Sequence, residues 1–518
     1  MRHSLKRWCY LTHRWLGIGL CLLFAMWFAS GVVMMYSGYP KLTVQERLQH
    51  LPALSESSTP EALLSPQQLL ERAGWQQPVQ ALRLARLRGG QPVYLLMPVA
   101  DAATATGSKR RQPSAVVLDA RSAALLPPAD ADVALASAAA WAGDAQGLTY
   151  LGQLQEDAHT HSRALDVHRP LHRVALADGS WLYLSSRTGE VVRDASRSER
   201  GWNYAGAWLH WLYPLRGGVL DRYWADIVNW LSILGIAGAI TGTVVGILRW
   251  RFRAPYRSGR RTPYPGRLMR WHHVCGLLFA AITLSWIFSG LMSMNPWRIF
   301  SSATAPVQAG ALHGAALTGL EGGTSPQQLL QAAGPGTREL RWTMVLGQPV
   351  VMAYGSLPTP QLLDAQARPY AVDAAALRSA IPSLLPAPLE RIETLQTYDF
   401  YYYARTAHSM TGGGDKPLPV WRAVFGDAQH TWVHIDPHTG AVLDSLDRHR
   451  RTSRWLFALL HSWDWLPLLE RRPLWDALLI TLSLGGLLLS LSGVVMGWRR
   501  LRTSLHIPRP LRPPRSRR

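Results

Sequence analysis

The sequence predicts a membrane α+β protein: four transmembrane helices from a tandem duplication, carrying two α+β domains outside the bilayer. Three observations predict it. Uncharged apolar runs long enough to cross a bilayer as helices lie at residues 15–36, 227–248, 274–297 and 477–498. The first half of the chain recurs in the second. The excess positive charge is confined to short segments beside the runs.

The repeat is clearest at the first run. HRWLGIGLCLLFAMWFASGVVMMY (13–36) returns as HHVCGLLFAAITLSWIFSGLMSM (272–294). His13 matches His272, Gly17 Gly276, Trp27 Trp286, Ser30 Ser289 and Gly31 Gly290, all 259 positions apart. SPQQLLERAG (65–74) returns as SPQQLLQAAG (325–334), and the GQPV at Gly90 returns at Gly347. Trp181 matches Trp432, Thr188-Gly189 matches Thr439-Gly440, and His210 matches His461, at 251. Gly242 and Gly246 match Gly493 and Gly497. Each half reads as span, external α+β domain, span. Parallel repeats of this kind are related by an axis along the membrane normal, so equivalent residues lie at equal depth on opposite sides of it.

Charge sets the orientation. Segments 1–14, 249–273 and 499–518 hold 20 of the 54 Lys/Arg and no Asp/Glu, while the rest of the chain is nearly balanced. The positive-inside rule puts all three segments, and both termini, in the cytoplasm. The net charge of +21 is therefore a topology signal rather than a nucleic-acid footprint. The first apolar run exceeds a signal-peptide core and reads as an uncleaved anchor. Cys9, Cys21 and Cys275 lie in or beside the runs, so no disulfide is predicted in the external segments. Tryptophans at 8, 15, 224, 250, 271, 297, 475 and 498 cluster at span ends as an interfacial belt would.

In order, residues 1–36 are the cytoplasmic N-terminus and first span, and 37–226 the first external domain. Within it, residues 65–74 form a capped helix with Ser65 as N-cap and Pro66 in the first turn. Strands follow at 81–86 and 92–98 around a Gly89-Gly90 turn, and at 115–118. Residues 100–113 read as a mobile loop. Strands 172–177 and 181–185 bracket an Asp178-Gly179 turn, and the chain continues into 190–192. The second span is 227–248, the basic loop 249–273 and the third span 274–297. The second external domain, 298–476, repeats the programme, and 477–498 and 499–518 are the fourth span and basic tail.

The repeat turns four histidines into two facing pairs. His13 and His272 sit at the cytoplasmic end of the first and third spans. His210 and His461 sit on short aromatic helices, WLHWLYP and LLHSWDWLP, which Pro214 and Pro467 are expected to end. Two imidazoles facing one another in an apolar bundle are what bis-histidine haem ligation requires. A single membrane-edge histidine is by default a packing residue; recurrence in register at two depths is the argument for ligation. His273 rivals His272, but adjacent helical residues point about 100° apart, and the repeat selects His272.

Other clusters carry less. His159, His161, His168 and His172 suggest a metal site, yet their second-half counterparts are not histidines, and solvated surface is the default reading. The tyrosine-rich stretch 398–403 reads as a buried strand. The sequence lacks a Walker motif, a dinucleotide glycine fingerprint, CxxC and a nucleophile elbow, so a nicotinamide or flavin of its own is not predicted.

HRWLG at 13–17, TGEVV at 188–192, ERGWNYAGAWLHWLYP at 199–214 and VHIDPHTGAVL at 433–443 resemble the PepSY-associated transmembrane family. Within it the chain is similar to inner-membrane ferric-siderophore reductases. That resemblance implies two periplasmic PepSY-type domains, two b-type haems and reduction of siderophore-bound iron in the periplasm. It implies haem ligation by His13, in its HxWxG motif, by His272 in the departing form HHVCG, and by His210 and His461. EDAHTH at 156–161 departs from the DQWT-like run of the family. The implied partners are the lipid bilayer, a ferric siderophore or other ferric chelate, and an unidentified cytoplasmic or quinol electron donor. The alternative is a non-catalytic, membrane-anchored PepSY binding protein, which would need no haem.

Overall fold

The computed structural model describes residues 3–55, 63–99, 115–301, 305–314, 316–318, 320, 322–405 and 416–505. The expected loop at 100–113 lies outside the described residues. The chain forms two compact units. One is helical and comprises residues 1–36, 205–301 and 449–518; the other is mixed α/β and comprises 37–204 and 302–448.

Three straight helices of the helical unit are long and apolar enough to cross a bilayer: His3–Tyr36, Trp224–Arg249 and Leu474–Leu505. A fourth candidate is a pair, Arg267–Leu278 and Ala280–Ser293, bent by 65° at Phe279. It meets the same length and composition test when counted as one span. The run assigned to 274–297 thus starts earlier and stops earlier. Asn295 and Trp297 take left-handed backbone, with φ of 47° and 50°, and end the helix. Aromatic rings from one helix fill glycine notches on another. A Cβ on Gly485 would lie 2.2 Å from the Phe279 ring, one on Gly486 2.3 Å from Phe28, and one on Gly235 2.9 Å from Phe24. Phe28 also meets Trp286, with ring centroids 5.8 Å apart.

In the α/β unit, strands β1 (Val79–Leu87), β2 (Gln91–Pro98) and β3 (Val116–Asp119) are followed by β4 (Thr149–Leu154), β5 (Leu171–Ala175), β6 (Trp181–Ser185) and β7 (Val191–Ala195). The second half supplies β8 (Glu339–Val345), β9 (Gln348–Tyr354), β10 (Gln361–Leu363), β11 (Leu389–Leu395), β12 (Val420–Phe425), β13 (Trp432–Ile435) and β14 (Val442–Leu446). The meanders β4-β5-β6-β7 and β11-β12-β13-β14 are antiparallel sheets, one per half.

The remaining strands join the two halves of the chain. They form one six-stranded sheet, β10-β9-β8-β1-β2-β3, joined where β1 pairs antiparallel with β8. Leu82 faces Trp342 and Leu84 faces Leu340 across the seam, and all four lie in one core with Tyr94, Leu96 and Val351. Pairing the two edges satisfies backbone groups that two isolated three-stranded sheets would leave open. Arg83 lies directly opposite Arg341 at this seam, a like-charge pair that carboxylates offset. Arg83 binds Glu190 at 2.6 Å, and Glu339, fully buried, meets Arg47 at 2.8 Å and Arg341 at 3.3 Å.

The repeated SPQQLL segments fold alike. Pro66–Arg72 and Pro326–Ala333 each begin with a capping box, Ser65 with Gln68 and Ser325 with Gln328. The stretch 398–403 is not the expected strand but a loop around Tyr402. The Tyr402 ring is fully buried beside His434, and its hydroxyl donates to the Pro417 carbonyl at 2.8 Å.

Candidate functional site

The helical unit brings the four repeat-matched histidines together as two pairs. The ring centroids of His13 and His272 are 6.2 Å apart, and those of His210 and His461 are 6.1 Å apart. Gly31, in contact range of the His210 ring, is 18 residues beyond His13 on the same helix. At 1.5 Å per residue the two levels are about 27 Å apart along it.

Local backbone structure positions the second pair. A π-helical turn precedes each histidine, at Tyr204–Trp208 and at Arg454–Leu459. Such turns are rare and re-aim side chains within a helix. The prolines do not end these helices. The chain leaves the helix earlier, at left-handed residues two places past each histidine, Leu212 (φ 54°) and Trp463 (φ 48°). Indole N–H groups then pin the exposed carbonyls: Trp27 donates to His210 at 2.9 Å, Trp224 to Trp211 at 2.8 Å and Trp475 to Ser462 at 3.0 Å. Trp224 and Trp475 match at 251, so they act as staples of the histidine turns. Trp475, 2 % exposed, is buried rather than part of a belt, whereas Trp8, Trp15, Trp271, Trp297 and Trp498 are exposed.

Hydrogen bonds fix which ring nitrogen remains. His13 Nδ1 donates to the Gly238 carbonyl at 3.2 Å. His210 and His461 bind the hydroxyls of Ser30 and Ser289, each at 3.0 Å, and His272 binds that of Ser492 at 2.8 Å, all through Nδ1. Each serine gives its own hydrogen to a helix carbonyl, so its oxygen accepts from the ring. In the neutral imidazole the lone pair is then on Nε2 in all four cases. Nε2 makes no hydrogen bond in any of them among the described residues.

Glycines clear space around the rings. A Cβ on Gly242 would fall 2.6 Å from His13; on Gly31, Gly290 and Gly493 it would lie 3.6–3.7 Å from His210, His461 and His272. His273 is different. Its Nε2 donates to the Gly246 carbonyl and its Nδ1 accepts from the Thr262 hydroxyl, both at 2.8 Å. Both of its ring nitrogens are therefore engaged by hydrogen bonds.

The four external histidines do not form a ligand set, and two are not solvated surface. His159 is buried and accepts from Asn203 Nδ2 at 2.9 Å. Burial lowers its pKa to about 4 despite the nearby Asp157 carboxylate. His172 is buried between the Tyr150 hydroxyl and the Ala129 carbonyl. His168 meets Ser185, and His161 meets Glu156. Among the described residues, no group of three or more His, Cys, Asp or Glu is placed to hold a bare metal ion.

Ser30 and Ser289 are visible in the sequence only as matched positions, and Gly238 and Ser492 are not marked there at all. Ser492 carried no repeat signal, because its counterpart is a threonine. No curated protein matches the chain. Residues 10–412 match the model of the PepSY-associated TM region, and the chain belongs to that family of membrane proteins.

Proposed function

We propose that the chain is an inner-membrane haem b protein that moves electrons across the bilayer and reduces ferric iron, held by a siderophore or similar chelate, in the periplasm. In this reading four spans arise from a duplication, both termini are cytoplasmic, and the α/β unit, with one PepSY-type portion from each half, is periplasmic. His13 and His272 hold one haem near the cytoplasmic face; His210 and His461 hold a second near the periplasmic face. The juxtamembrane arginines and the in-register repeat support the topology.

The observation that carries the reading is the spacing of the two pairs. A metal–imidazole bond is about 2 Å, and the ring centre lies about 1 Å behind the nitrogen, so two imidazoles that shared one metal would have centroids no more than about 6 Å apart. The separations are 6.2 and 6.1 Å. The Nδ1 bonds leave the lone pair that iron needs, and the glycine notches remove side chains from beside the rings.

Bound haem supplies one-electron carriage. The protein's part is to hold the rings, keep the pairs in an apolar bundle and separate them along one helix. The ferric chelate is substrate. Fe(III) is a hard ion that oxygen ligands hold tightly, and Fe(II) is held more weakly, so one electron loosens the metal without an acid–base residue.

The test is direct. Purified full-length protein should contain two haems per chain by pyridine haemochrome. Once reduced, it should reoxidise on mixing with a ferric hydroxamate while a ferrous trap colours. A haem-free protein overturns the reading in favour of the PepSY binding protein. A reduced protein inert to ferric chelates but oxidised by a quinone keeps the electron transfer and removes the siderophore.

A further inference from the structure

Three of the four paired imidazoles rest on a serine. The serine is oriented in each case by a second hydrogen bond. Ser30 Oγ donates to the Met26 carbonyl at 2.7 Å, Ser289 to Trp286 at 3.1 Å and Ser492 to Leu489 at 2.7 Å. The hydroxyl hydrogen is therefore committed to the helix, and the oxygen faces the ring as an acceptor. Ser30 and Ser289 are buried, so water does not compete.

The first half builds the fourth contact from the same positions in another way. At the 251-residue offset, Leu489 corresponds to Gly238 and Ser492 to Thr241. The Thr241 hydroxyl donates to the Ala237 carbonyl at 2.7 Å and reaches that of Gly238 at 3.2 Å. His13 bonds the Gly238 carbonyl directly. In one half the ring meets a hydroxyl that is itself bonded to the carbonyl at that position; in the other the ring bonds the carbonyl itself, which the Thr241 hydroxyl also reaches.

We infer that Ser30, Ser289 and Ser492 are positioning residues that fix the Nδ1–H tautomer of their histidines and lower the reduction potential of the haem those histidines hold. This rests on the di-haem reading. A hydroxyl that is itself donating is a stronger acceptor, since hydrogen bonds in a chain polarise one another. Its pull on the Nδ1 proton raises electron density at Nε2, makes the ring a more basic ligand and favours ferric over ferrous iron. Ser30 and Ser289 act on one pair and Ser492 on the other.

Spectroscopic redox titration of the purified full-length protein tests this. Ser30→Ala and Ser289→Ala should each raise the midpoint potential of the same haem, and the double variant should raise it further. Ser492→Ala should raise that of the other haem. Thr241→Val should leave both near wild type, because His13 does not use that hydroxyl. Pyridine haemochrome should still give two haems per chain. Unchanged potentials in all three alanine variants, with both haems bound, overturn the inference; a haem-free wild type overturns the di-haem reading instead. If an alanine variant loses haem, its threonine counterpart decides. Recovery of haem and potential supports the hydroxyl, and failure to recover overturns its role. Ser492→Thr is the soundest rescue, since threonine occupies the matching position 241.

Discussion

The imidazole of His13 occupies the space that a side chain at Gly242 would need. A Cβ built there lies 2.6 Å from His13 Cε1 and 2.7 Å from Nδ1, closer than non-bonded atoms approach. Gly242→Ala must therefore displace the ring from the Gly238 carbonyl. We expect this variant to lose one of two haems while the other keeps its low-spin spectrum. Gly31→Ala adds a Cβ at 3.6 Å from His210, an ordinary contact, and should retain both. Wild-type haem content in Gly242→Ala would remove His13 from the ligand set.

The neighbours His272 and His273 should separate cleanly. His272→Ala, like His13→Ala, should lose the haem of that pair, and His210→Ala or His461→Ala the other. His273→Ala should keep both and lose stability. It strands the Thr262 hydroxyl in a buried site, where an unmet polar group costs about 1–3 kcal/mol, while the Gly246 carbonyl keeps the Trp250 N–H at 3.0 Å. Haem content and the thermal midpoint, measured on the same preparations, read the two effects separately. Haem loss in His273→Ala with retention in His272→Ala would reverse the assignment.

Topology can be read by cysteine labelling in a chain from which Cys9, Cys21 and Cys275 have been removed. Asp178→Cys lies in the exposed turn between β5 and β6 and should react with an impermeant thiol reagent added outside spheroplasts. Arg257→Cys, exposed in the basic loop, should react only after permeabilisation. External labelling at 257 would invert the orientation and the proposed direction of electron flow.

Which features were legible in the sequence follows from the range of the interactions that make them. The Ser65 N-cap and the Gly89-Gly90 turn are local and were readable residue by residue. The histidine pairing was readable because the repeat supplied a symmetry argument that no single span contains. The β1–β8 seam joins residues about 257 positions apart, and nothing in either strand names its partner. Helix Ala131–Ala142 was missed because its alanine-rich face shows little contrast between apolar and polar positions. The bend at Phe279 and the left-handed exits at Leu212 and Trp463 were missed as well, since non-glycine residues carry no signal for them. The serine contacts depend on the packing of two helices and were visible only once those helices were placed.

The α/β unit should weaken in acid through two identifiable groups. Burial pushes the Glu190 carboxyl up, but the Arg83 and Arg47 guanidiniums more than reverse this and hold it at about 2, below its ordinary 4.5. Burial holds His159 at about 4, below its ordinary 6.5. Both folded-state values are depressed, so the fold favours ionised Glu190 and neutral His159. The unfolded chain binds protons first as pH falls, and stability drops where it does so. The His159 contribution is complete above pH 6.5 and is lost between 6.5 and about 4; the Glu190 contribution is lost between 4.5 and about 2. The second amounts to something on the order of 3 kcal/mol. Hydrogen exchange of peptides covering residues 149–195 of the full-length protein, corrected for intrinsic rates, should show protection falling from pH 7 to 5 and more steeply below. His159→Gln should flatten the upper part of that profile and leave the lower. Glu190→Gln should weaken the fold already at pH 7, because Arg83 then keeps only the more distant Glu339 at 3.6 Å. Protection that is constant from pH 7 to 4 in the wild type would show that neither group is linked to folding in this way.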